Sequence, residues 1–394
     1  VADTFPRQYA RTQRFTLGEP RDLTVSPDGR RVVFLRSRGG DDPVNCLWVV
    51  DTATGAERLV ADPVALLGDT DHDPGLLDDL PAAERARRER LREGAAGITS
   101  FATDAAVTAA AFALGGHLYV AGLVSGRARP LGAAGPVFDP RPDPPARRVA
   151  YLSGSMLCLA ELDGSWRVLA GGELDEPDTV SWGSAEFIAA EEMRRMRGFW
   201  WSPDGEHLAV CRVDTAPVQR WYIANAADPG AVPTPVAYPA AGTPNADVTV
   251  HLFPVDGSEP VDVEWDRAAL PYLADVSWTA AGLIITVQTR DQRRLEVRSV
   301  DPATGATQLL FQDEDDAWVE LVPGSPRLLA TGQLVVCADR DGSRRLLVDG
   351  EIVTGADLQV RSILGTEDRT VFFTANPVTD ATVVHVWQRG PEGE

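Results

Sequence analysis

SPDGRRVVFLRS, residues 26–37, returns as SPDGEHLAVCRV at 202–213, a turn followed each time by alternating apolar residues. Proline enters with φ already fixed and glycine supplies the positive φ that closes a tight turn, so each copy reads as the start of a β-hairpin. A second element, DTATGAERLV at 51–60, recurs as DPATGATQLL at 301–310. Its tight Asp-to-Gly turn should lead into an outer strand. Weaker copies begin near Ala106, Val137, Val276, Leu321 and Val360. Short strands with Gly, Asp and Pro turns, repeating at about 40 to 45 residues, are the signature of propeller blades. The expectation is an all-β chain, a β-propeller of seven or eight blades, with further strands and an extension between Thr215 and Asp266. Separate β-sandwiches are disfavoured because no linker divides the chain.

The composition narrows the function classes. With 394 residues, 44% hydrophobic and 24% charged, the chain can bury a large core. Its 37 basic and 58 acidic residues leave a net charge of −21. That charge repels phosphate backbones and anionic membrane surfaces, so neither nucleic acid nor membrane is expected as a partner. All the basic residues are arginines, which reads as base composition and carries no chemistry. Cys46, Cys158, Cys211 and Cys337 lie far apart without C-x-x-C spacing, which points away from zinc and disulfide frameworks and toward a reducing compartment. The opening VADTFPRQYARTQRFTL has no apolar signal-peptide core, so the expected location is cytoplasmic.

Two segments break the strand pattern. LPAAERARRERLREGAAGI at 80–98 is rich in helix formers, stops at Gly94, and sets Glu84 and Arg88 at i, i+4 for ion pairing. EFIAAEEMRRMRG at 186–198 is likewise helical in composition and ends at Gly198, just before FWWSPDG. Insertions on a rigid frame are where function concentrates. On a helix, the long side chains of Glu191 and Glu192 can converge on one cation, and two carboxylates suit a primary ammonium such as a peptide α-amino group. Most adjacent glutamates are simply a solvated helix face. The arginines at 85–92 are equally well explained as a self-neutralising exposed helix unless one turns inward, where its planar fork could bind a carbonyl oxygen.

Other candidates are weaker. GDTDHDPG at 68–75 resembles the start of a calcium loop, but its sixth position is Pro74 and its twelfth Leu80, where Gly and Glu are needed. The five histidines are scattered, His207 within a strand pattern, so no metal site and no cofactor are expected. The DEDD run at 313–316 reads as a solvated hairpin tip. No G-x-S-x-G elbow is present, nor an alternating strand and helix pattern that could build a parallel sheet. This chain by itself should be inactive toward peptides.

EFIAAEEM, then RGFWWSPDG, then AYPAAGTPNADVTVHLF at 237–253, resemble the N-terminal propeller of the dipeptidyl peptidase IV group of the prolyl oligopeptidase family. The similarity extends through YLADVSWT at 272–279 to ANPVTDATVVHVWQ at 375–388. The resemblance implies an eight-bladed propeller over residues 21–388, preceded by a 1–20 segment and followed by a 389–394 linker toward an α/β-hydrolase domain that this chain lacks. It implies that Glu191 and Glu192 hold the free amino terminus of a peptide substrate, so that dipeptides ending in Pro or Ala are removed. It implies that an arginine of the 80–98 segment binds substrate carbonyls, Arg92 first and Arg88 second. The Ser-Asp-His triad would come from the hydrolase domain, and homodimer contacts from the extension at about Asp214–Val248. Departures are Ala237 and Ala246, where the group often has Arg and Pro, and aliphatic Leu321 and Val322, where some members place an aromatic wall. The alternative is a stand-alone or inactive propeller that acts as a protein-interaction module.

Overall fold

The computed structural model describes residues 4–67 and 96–390. These form two compact units, Val1–Ser184 and Ala185–Glu394. The architecture is all-β. Among the described residues it comprises seven sheets built from antiparallel meanders, and a separate two-stranded ribbon.

The first unit holds three sheets. The first runs through Arg21–Val25, Arg31–Ser37, Val44–Asp51 and Glu57–Ala61. Ala96–Gly97 adds to it in parallel beside Val44 and Asn45. The second runs from Ala102–Thr103 to Arg127–Leu131, and the third from Val137–Pro142 to Trp166–Ala170. Strand residues alternate between faces, so each sheet has an apolar side for each neighbour. Val33, Leu35 and Leu47 of the first sheet pack on Phe112, Tyr119 and Ala121 of the second. Ala111, Leu118 and Leu131 on the other face of the second sheet pack on Val149, Tyr151 and Cys158 of the third.

The second unit repeats the plan. Its first sheet contains Phe199–Trp201, His207–Asp214, Asp247–Pro254 and Val261–Asp262. The ribbon, Arg220–Ile223 paired with Thr234–Ala237, interrupts this meander between its two longest strands. Sheets from Tyr272 to Glu314 and from Arg327 to Ile352 follow, and a three-stranded sheet, Leu358–Glu367, Thr370–Pro377 and His385–Arg389, ends the described chain. Trp200, Cys211 and Val250 share one apolar core with Leu273, Val276 and Ile285. Ile284 and Val297 share the next with Val336 and Leu347.

The two SPDG turns close with the same bonds. Ser26 Oγ donates to Asp28 at 2.6 Å and accepts from the Arg31 amide at 2.9 Å, while Asp28 also accepts from the Arg30 amide. Ser202, Asp204, Glu206 and His207 repeat this arrangement. Gly29 and Gly205 take φ of 68° and 71°, the left-handed region that glycine enters without a Cβ penalty. A third copy carries no glycine. Thr289 and Asp291 make the matching bonds to Arg294 and Arg293, and Gln292 occupies the left-handed position at φ 60°.

Two expectations need correction. Helix occupies only Phe187–Glu192 of the 186–198 segment, because Arg194 turns to φ 58° and Arg195 points inward. The 313–316 acids are not simply a solvated tip. Asp313 belongs to strand Thr307–Glu314, is buried, and pairs with Arg340 at 2.8 Å. Burying one carboxylate is tolerable here because a guanidinium faces it.

Candidate functional site

The short helix Phe187–Glu192 starts on Glu186, whose carboxylate accepts the Ala189 amide at 2.8 Å and caps the first turn. Ala189 and Ala190 are buried and hold the helix down. Phe187 packs edge-on against Tyr238, with ring centroids 5.1 Å apart, and Tyr238 in turn meets Trp221 of the ribbon. Glu191 and Glu192 form the exposed C-terminal end. No basic residue lies in that last turn. The negative end of the helix dipole and the two carboxylates therefore act in the same sense, and both attract a cation.

What holds the helix in place is Arg195, only 4% exposed. Its guanidinium donates to the Leu273 carbonyl at 3.1 Å and to the Arg197 carbonyl at 2.9 Å, and it pairs with Glu186 at 3.3 Å. Its amide bonds back to the Ala189 carbonyl at 2.9 Å. One side chain thus ties the start of the helix to strand Tyr272–Thr279. Three acids occur in the segment, and Arg195 engages Glu186, so the exposed carboxylates are the adjacent pair. Nothing in the sequence distinguished Arg195 from the neighbouring Arg194 and Arg197. Its partner Glu186 lies nine residues earlier, a separation that no helical spacing singles out.

The aromatic residues that follow are structural. Trp200 and Trp201 are buried in strand Phe199–Trp201, and Arg197 lies over the Trp200 ring at 5.1 Å. On the neighbouring strand, burial pushes the Asp275 carboxyl above the usual range, opposed by the Val276 amide and by Arg197, Arg195 and Arg327. Burial also raises the thiol of Cys211, which contacts Arg195 at 3.7 Å. All four cysteines are free and buried. His207 lies in its strand, tilted against Trp278. Leu321 is partly buried against one apolar core, and Val322 is buried in another.

Of the predicted site residues, Glu191 and Glu192 lie side by side on the helix. Arg88 and Arg92 lie outside the described residues, as does the 68–75 loop.

Residues 112–388 match the family described as the Dipeptidyl peptidase IV (DPP IV) N-terminal region. The venom dipeptidyl peptidase 4 of Apis mellifera is 28% identical over 163 residues, 37% of this chain and 21% of that protein. A probable dipeptidyl-aminopeptidase B of Coccidioides posadasii (strain C735) is 30% identical over 154 residues, 32% of this chain and 17% of the other. The crystal structure of Porphyromonas gingivalis dipeptidyl peptidase 4 shares the fold with a TM-score of 0.71 and 17% identity, over 95% of this chain and 52% of that one. The chain therefore spans about half the length of the solved protein that it matches.

Proposed function

The chain belongs to the family of dipeptidyl peptidase IV N-terminal regions, and from that premise we propose that it is the substrate-recognising β-propeller of a serine dipeptidyl peptidase. In this proposal the sheets are the blades, seven or eight of them, and the bond-breaking Ser, His and Asp belong to an α/β-hydrolase domain that these residues do not include. Glu191 and Glu192 bind the α-ammonium of a peptide and so set the distance from the amino terminus to the bond that is cut. The product is an N-terminal dipeptide ending in Pro or Ala. Arg92, or Arg88, would hold a substrate carbonyl.

The observation that carries this proposal is the pair of exposed carboxylates on a helix that a buried arginine anchors. Anchoring matters because a clamp that is already in place loses little freedom on binding. Two carboxylates offer an ammonium charge-assisted hydrogen bonds, which are stronger than neutral ones. Binding follows the charge of the ligand, so it should weaken as the α-amino group, with pKa about 7.7 to 8.0, deprotonates.

Titration of the chain with Ile-Pro, followed by calorimetry or amide NMR shifts at Ala190 to Met193, tests this directly. Glu192→Gln or Glu191→Gln should weaken binding by about 10- to 100-fold, and N-acetyl-Ile-Pro should not bind. Equal affinity for the free and acetylated dipeptides would end the amino-terminus assignment. A stand-alone interaction module would bind neither. We further propose that the ribbon mediates a homodimer, since Trp221, Tyr222 and Ile223 are all exposed on it. Sedimentation should then detect a dimer that Tyr222→Glu abolishes.

A further inference from the structure

The second and third sheets, both in the first unit, pack tightly at one end of their interface and leave it open at the other. Where they pack, Leu118 and Leu131 share one core with Tyr151 and Cys158. Toward the other end the rows of the second sheet shrink. Register sets Ala111 beside Val120 and Arg129, and the next row on that face is Ala109, Gly122 and Arg127. Side chains of one or no carbon cannot fill the space between two sheets that stack about 10 Å apart. Opposite them stand Pro142, paired with Val149, and Leu162 beyond. The result is a cleft of about 440 Å³. That is within the range of small-molecule sites, roughly 300 to 1,000 Å³ with apolar walls and a few placed polar groups.

The charges around it run against the rest of the molecule. The chain carries −21 overall, yet among the described residues the charged ones that line the cleft are Arg127, Arg129 and Arg148, with no carboxylate. Arg129 reaches across to the Leu162 carbonyl at 2.7 Å and links the two walls. Arg148 alternates with inward-facing Val149, so its side chain leaves the cleft and pairs with Glu161 at 3.7 Å on the other face of the sheet. Arg127 is exposed at the mouth. An apolar interior with a guanidinium group at the rim matches a ligand that is apolar along its length and anionic at its end.

We infer that this cleft is a binding site for an amphipathic carboxylate, with an aliphatic chain against Ala109, Gly122 and Val149 and the carboxylate on Arg127. The arginine fork suits a carboxylate because two parallel N–H groups meet its two oxygens. This site stands independently of the role given to Glu191 and Glu192.

Calorimetric titration of the chain with dodecanoate at submicellar concentration, against dodecylamine as the counter-probe, tests the assignment. Saturable one-to-one binding of dodecanoate, no binding of dodecylamine, and at least a tenfold loss in Arg127→Glu are expected. Ala109→Leu, which fills the floor, should remove binding while circular dichroism stays that of the parent. Absence of saturable dodecanoate binding, equal binding of the amine, or undiminished affinity in a folded Arg127→Glu would each overturn it.

Discussion

The turns Ser26–Gly29 and Ser202–Gly205 are near copies, yet the strands that lead into them differ completely. Arg21–Val25 is a mostly exposed edge, with Leu23 and Val25 open to solvent. Phe199–Trp201 is buried throughout. The turn is local chemistry, set by four residues and their backbone, and so it repeats faithfully. What precedes the turn depends on its neighbours. Before Ser26 the chain forms an edge, whereas before Ser202 it forms the anchored helix that presents Glu191 and Glu192.

The largest expected effect comes from breaking the anchor that only the second copy has. Arg195→Met leaves the largely buried Glu186 carboxylate without its guanidinium partner and should cost up to about 3 kcal/mol in chemical denaturation. Glu186→Gln in the same chain should recover part of that loss, since the stranded charge is then gone. An unchanged midpoint in the single variant would show that the helix is held by other means.

Where the copies agree, so should their variants. Ser26→Ala and Ser202→Ala each remove a hydroxyl that both donates and accepts in the turn, and each should cost about 1 kcal/mol. Unequal losses would mean that the flanking strands, and not the turn, set the contribution.

The remaining effects are smaller and depend on pH. Folding raises the Asp275 carboxyl above its unfolded value of 3.8, so its ionised form opposes folding at neutral pH, and the penalty disappears as pH falls below that value. Asp275→Asn should therefore raise the thermal midpoint at pH 7 and leave it unchanged near pH 3. Asp28 and Asp204 titrate in the opposite sense. Bonds from Ser26 and Ser202 lower both carboxyls below the ordinary range. Their contribution is complete above the unfolded pKa near 4 and is lost as pH falls through the lower folded values. Asp28→Asn and Asp204→Asn should flatten the acid limb of the stability curve by similar small amounts, measured as midpoint against pH.

Much of the strand plan was legible because turns are local. SPDG and the Asp-to-Gly elements announce hairpins wherever they occur, and both Asp-to-Gly turns do lead into the last strand of a four-strand meander, Glu57–Ala61 and Thr307–Glu314. The third turn stayed hidden because Thr289 and Gln292 replace the residues that advertise it. In the site, the adjacent acids were visible as a possible cation clamp, whereas Arg195 was one arginine among several.

Sequence alone, then, determined the alternation of the strands, the turn chemistry and the presence of two neighbouring carboxylates, since all three are set within a few residues. Tertiary structure decided which arginine is buried, why Asp313 can be buried, and where Ala109 and Gly122 leave a cleft. The physical reason is that burial and ion pairing depend on what the fold brings from far along the chain. Arg195 meets Leu273 from 78 residues away, and no short window of sequence contains both.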